Sequence, residues 1–204
     1  RHIELPCHNY HICKPSCYDF TMLSLLFTSP FAFIVVFGGI ILAIGIHEAA
    51  HCYMADYLGD PTPEALGRKT LNPLAHLDPM GTLMILVTGG FGWGKPAPYD
   101  PYNLANPSRD TKLIALAGPI SNILIAIILS IIFKTFQLQI LTSIFYFLIS
   151  ININLALFNL LPIPPLDGSK IFFHSDKLLA PNNYLLILAI IPIFGGHSLA
   201  SLII

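Results

Sequence analysis

Residues 31–51 read FAFIVVFGGIILAIGIHEAAH, and this stretch decides the fold. Phe31 to Ile46 are apolar or glycine without exception, and between Asp19 and Glu48 the only Asp, Glu, Lys, Arg or His is His47. A helix crossing a bilayer needs about 20 such residues, and a helix satisfies its own backbone polar groups in lipid. Three ionisable residues then fall within five positions, His47, Glu48 and His51. Helical spacing of four puts both imidazoles on one face, where they can share one zinc, and leaves Glu48 free to act as a base on water at that metal. Ionisable groups in a membrane helix are costly and are usually retained for function, so their position here argues against a chance match.

The rest of the composition agrees. Of 204 residues 54% are hydrophobic and 10% charged, against about 25% charged in a soluble domain. Ten Lys and Arg against eleven Asp and Glu give a net charge of −1, which leaves no basic surface for nucleic acid. So apolar a chain must bury its side chains in a core or in lipid, which excludes intrinsic disorder.

Two further charge-free runs, Leu113 to Phe133 and Ile140 to Leu161, are separated by a link containing Lys134 and read as a transmembrane hairpin. A fourth apolar run, Tyr184 to Ile204, is interrupted by Pro192 and Gly195-Gly196. Thr82 to Phe91 is too short to span and is followed by Gly92, Gly94, Pro96 and Pro98, so a re-entrant or interfacial loop is expected there. The fold class is thus an all-α integral membrane protein of about four transmembrane helices, with the zinc site between helices. Counting crossings, Arg68, Lys69, Lys95, Arg109, Lys112, Lys170 and Lys177 share one face, against Lys134, Arg1 and Lys14 on the other. The positive-inside rule makes the richer face cytoplasmic.

Residues 1–21 differ from the rest of the chain. Cys7, His8, His11, Cys13 and Cys17 crowd into eleven positions, but their spacing fits no paired zinc template. They are read as an N-terminal extension, disordered or not native, ahead of one membrane-embedded domain over 22–204. Cys52 stands alone, so no disulfide framework is implied.

Two histidines leave a catalytic zinc one protein ligand short. Asp167 is the candidate third ligand, on the face predicted for His51, in the run Asn159-Leu-Leu-Pro-Ile-Pro-Pro-Leu-Asp167-Gly168. Its prolines stop the third membrane helix, and Gly168 permits a turn that aims the carboxylate inward. His76 and Asp78 are assigned to shaping their loop instead, and Gly118 with Asn122, one turn apart, to close helix packing with an interhelical hydrogen bond.

Together these residues resemble the intramembrane zinc metalloproteases of the site-2 protease type, in the compact subgroup without a PDZ domain. The likeness rests on HEAAH at His47 to His51, NPLAHLDPMG at Asn72 to Gly81, GWGKPAPYDPYNL at Gly92 to Leu104, LAGPISN at Leu116 to Asn122 and NLLPIPPLDG at Asn159 to Gly168. It implies one zinc per chain held by His47, His51 and Asp167, Glu48 as general base, and Asn159 holding substrate or the oxyanion. The implied activity is endopeptidase cleavage within or next to a substrate's transmembrane helix. Substrates would be membrane proteins or signal-peptide remnants, and the location a prokaryotic plasma (inner) membrane, with the active site near the cytoplasmic face. A membrane metal-ion transporter is the alternative, because His, Glu and Asp also line ion pathways.

Overall fold

The computed structural model describes residues 22–88, 92–136 and 141–172. Among these the chain is helices and loops, and its β pairing is limited to one isolated antiparallel bridge, Leu77 with Gly94. A short helix α1 (Met22–Thr28) ends at Ser29, whose side chain caps the next helix by accepting from Ala32 N. Pro30 opens that helix, where its missing N–H costs nothing. The result is α2 (Pro30–Tyr57), 28 residues and about 42 Å long at 1.5 Å per residue. After α3 (Thr62–Ala65) and a 3₁₀ turn over Pro73–His76 comes α4 (Pro79–Thr88). A second 3₁₀ turn, Pro101–Asn103, leads into the 30-residue α5 (Pro107–Phe136), then α6 (Thr142–Asn159) and the short α7 (Asp167–Phe172).

The helices α2, α5 and α6 are each long and apolar enough to cross a membrane. Contacts between them fix their directions. His51 meets Ile114, and His47 and Ala43 meet Asn122, so α5 runs antiparallel to α2. Asn122 meets Asn152 and Phe133 meets Phe145, so α6 turns back and runs parallel to α2. Met22, Leu25, Ile40, Ile41, Ile44 and Ile85 form the main core cluster, with Phe147, Ile151 and Leu155 of α6 against it. Outward faces stay apolar, with Leu42, Ile123, Leu124, Ile127, Ile128, Ile131 and Leu157 all exposed, as lipid-facing surfaces require.

Three expectations change. HEAAH, which follows the apolar run and reads in the sequence as the close of the first membrane helix, does not end it, because α2 continues six residues beyond His51 to Tyr57. That run, Cys52-Tyr-Met-Ala-Asp-Tyr57, lacks Pro and Gly, so nothing in it stops a helix before Gly59 at φ 101°. The segment expected as a loop from Thr82 is helical through Thr88, which satisfies its backbone, and it remains too short to span. The apolar run from Leu113 begins not at a helix start but nearly two turns inside α5, whose first turns carry Arg109, Asp110 and Lys112. The fourth span, Tyr184 to Ile204, and the Cys and His residues of 1–21 lie outside the described residues.

Candidate metal centre

Two imidazoles and one carboxylate converge where α2, α5 and α7 meet. His47 Nε2 and His51 Nε2 each lie 3.1 Å from Asp167 Oδ2, and all three residues are buried. One ligand atom from each lies within 4.8 Å of the others. The helix supplies the first two through its spacing of four, with the two rings edge to face and centroids 4.7 Å apart.

Asp167 comes from 120 positions beyond His47. After α6 ends at Asn159 the chain turns through Pro162 to Pro165, including a cis Pro164–Pro165 bond, and starts α7 at Asp167. Gly168 makes this approach possible, since a Cβ there would overlap the carbonyl oxygens of Leu160 and Leu161. Gly118 of α5 does the same for the ligand cluster, where a Cβ would overlap both His51 Nε2 and His47 Nε2. The residue expected to serve helix packing therefore leaves room for the ligands.

The donor set fits a divalent metal. His51 Nδ1 is 2.7 Å from the carbonyl of Ile114, an atom that can only accept. Nδ1 therefore carries a proton, which leaves Nε2 as the nitrogen that faces Asp167. His47 Nδ1 stands likewise 2.7 Å from Asn122 Oδ1. Two Nε2 atoms and a carboxylate oxygen facing one point at this spacing take a cation between them, a proton on each ring or a shared metal ion, and His₂–carboxylate is a zinc ligand set that leaves a fourth position open. Where that cation is a proton on each ring, the hydrogen bonds and charge of the two imidazoles outweigh the upward push of burial and hold the Asp167 carboxyl well below the usual carboxylate range. Its other oxygen is 3.8 Å from Lys170 Nζ, which also lies 5.7 Å from the centre of the Tyr99 ring.

Glu48 points elsewhere. Its Oε2 accepts from Ala97 N at 2.9 Å, so the base candidate lies under the extended segment 92–100 rather than inside the ligand cluster. That segment is a strap fixed at both ends. Lys95 N donates to His76 O, and Arg68 Nη2 donates to Lys95 O at 2.7 Å from a buried guanidinium. His76 faces Thr70 O through Nε2, leaving Nδ1 to accept from Arg68 at 3.4 Å. At the other end Asp60, fully buried, accepts from Asp100 N, Asn103 Nδ2, and both the N–H and hydroxyl of Thr62. These bonds overcome the upward push of burial and hold the Asp60 carboxyl below its ordinary value.

Of the sequence-predicted residues, His47, His51 and Asp167 are brought together, Glu48 adjoins them under the strap, and Asn159 is bonded within its own helix. Asn159 is half-buried at the end of α6, with one N–H on Leu155 O. His76 and Asp78 stay out of the cluster, and Asp78 caps α4 by accepting from Gly81 N. Sequence reasoning missed Asn152, Arg68 and Asp60. The signal for Asn152 was present, one of three asparagines with Asn154 and Asn159 in the otherwise apolar run of α6, whereas nothing in the charge pattern marks Asp60 or Arg68 as buried.

A family model described as peptidase family M50 matches residues 134–179, which include Asn159 and Asp167. The candidate zinc metalloprotease YwhC of Bacillus subtilis is 41% identical over 142 residues, 65% of this chain and 64% of the relative. The candidate zinc metalloprotease Rip2 of Mycolicibacterium smegmatis is 33% identical over 143 residues, covering 67% and 55%. A further one, from Methanocaldococcus jannaschii, is 41% identical over 95 residues, covering 45% and 48%. The chain thus spans less than two thirds of the length of these relatives. No solved structure matches it.

Proposed function

Because this chain belongs to peptidase family M50, the site-2 protease type, we propose that it is a zinc-dependent endopeptidase cutting a membrane protein or signal-peptide remnant within or next to its transmembrane helix. The observation that carries this reading is the buried convergence of His47, His51 and Asp167 on one point between membrane-length helices. Zinc held by these three would supply Lewis acidity, polarising a carbonyl and bringing the pKa of water from 15.7 towards about 7.

The chain's own groups do the rest. Glu48 takes the proton from water attacking the scissile carbonyl and passes it to the leaving amine. Ala97 N–H holds one of its carboxylate oxygens, and the other is left to take the proton. Asn159 spends one N–H on Leu155 O, and an amide has a second to offer to substrate or the developing oxyanion. Its replacement by Ala should slow turnover by about 10² to 10³ without weakening zinc binding. The substrate helix must unwind locally, since an intact helix keeps its carbonyls in hydrogen bonds. The excess of Lys and Arg on one face supports a cytoplasmic active site, which water reaches from the strap side.

The test uses purified protein in detergent and a single-span substrate, with and without a Gly or Pro in the middle of its span. Cleavage should stop on chelation, return with zinc, and favour the interrupted substrate by at least about tenfold. Chelator-insensitive cleavage would remove the metal from the reaction, and equal rates on an unbroken polyleucine span would remove the unwinding step.

A further inference from the structure

Two asparagines sit where the apolar pattern of their helices gives no reason for them. Asn122 of α5 is 0% exposed and Asn152 of α6 is 3% exposed. A buried amide is costly unless its hydrogen bonds are made, and here they run in a single direction. Asn152 Nδ2 donates to Leu148 O at 2.8 Å, which turns its Oδ1 towards α5. There it accepts from Asn122 Nδ2 at 2.9 Å, and the same nitrogen donates to Ala43 O of α2 at 3.2 Å. The amide nitrogen of Asn122 thus faces only acceptors, so its orientation is determined. What remains is Oδ1, 2.7 Å from His47 Nδ1.

An amide oxygen accepts and cannot donate, so the bond exists only if the imidazole proton lies on Nδ1. Nε2 is then the nitrogen that faces Asp167 Oδ2, 3.1 Å away, and in the neutral ring it carries the lone pair. We infer that Asn122, oriented by Asn152, is a positioning residue that fixes His47 as the Nδ1–H tautomer and aims its Nε2 into the metal centre, an assignment that rests on the zinc reading proposed above. The two histidines are held by different means. For His51 the acceptor is the backbone carbonyl of Ile114, which no side-chain substitution removes. For His47 it is a side chain on another helix, itself set by a third, so the ligand is built correctly only when α2, α5 and α6 are assembled.

Partners of this kind typically change metal affinity by 10 to 100-fold when removed. The experiment measures zinc affinity by chelator competition for the wild type, Asn122→Leu, Asn122→Ala and Asn122→Asp, with far-UV circular dichroism as a folding check. Leu and Ala remove the acceptor, whereas Asp keeps an oxygen facing His47 while losing the donations to Asn152 Oδ1 and Ala43 O. Expected are a 10 to 100-fold loss in the first two and a clearly smaller loss in the third. Undiminished affinity in a folded Asn122→Ala or Asn122→Leu overturns the assignment, as does equal loss in all three, which would mark a packing role only. A second measurement needs no variant: long-range ¹H–¹⁵N correlation in the zinc-loaded wild type should show His47 as Nδ1–H, and Nε2–H there overturns the assignment. A wild type that binds no zinc would instead sink the reading beneath it.

Discussion

A methyl group at position 118 would stand against the Nε2 atoms of both His47 and His51, so the smallest substitution available is also the sharpest probe of the proposed ligand cluster. In an isolated helix Ala is favoured over Gly by about 1 kcal/mol, so Gly118→Ala should keep its helicity while its zinc affinity falls at least about tenfold. Zinc titration with circular dichroism on the same samples checks this, and unchanged affinity would mean that the ligands do not crowd Gly118. At this scale the sequence was most legible where chemistry is local. His47, Glu48 and His51 lie within one helical turn or so, and their spacing alone brings the two imidazoles together. Asp167 was legible from its neighbours' prolines and glycine. The bond from Asn122 to His47 was not, because it joins positions 75 apart, and a polar residue in an apolar helix indicates that a partner exists without saying which.

Among the elements, the strap over 92–100 was the least legible. Its Gly and Pro residues marked only a break after the short apolar segment before it, but its course depends on a buried guanidinium at one end and a buried carboxylate at the other. Charged residues are almost never fully buried unless paired, so composition places Arg68 and Asp60 at the surface. Asp60 gives the strap a pH dependence whose sign is set by its lowered pKa. A carboxyl with a folded value below its unfolded one of about 3.9 contributes stability above that pH and loses it as pH falls through the folded value. Asp60→Asn should therefore lower the thermal midpoint at pH 7, consistent with about 1 to 3 kcal/mol for an unmatched buried group. The gap to wild type should narrow below about pH 4, as protonation removes the wild type's advantage. A gap of constant size down to strongly acidic pH would show that the charge of Asp60 contributes nothing. Helix bounds were legible only to within a turn or two: the apolar run of α2 ends at Ile46, but helix propensity carries it to Tyr57.

For the whole molecule, the membrane class came from charge-free length, and the directions of α2, α5 and α6 from counting crossings. The junction that makes the site did not, since a hydropathy pattern says that a face is apolar without saying which helix covers it. Assembly turns three ordinary spans into a centre in which two histidines of α2 are each held by α5 and closed by α7. Central to this reading is that the three ligands hold zinc while Glu48, alone among the neighbouring groups, moves the proton. Zinc content and cleavage measured together on wild type and Glu48→Gln test it most directly. Near-stoichiometric zinc in both proteins, with cleavage lost at least about 10³-fold only in Glu48→Gln, is the expected result. Equal cleavage by both would contradict the role of Glu48, zinc in both with cleavage in neither would favour a metal-handling role, and absence of zinc from the wild type would contradict the metal centre itself.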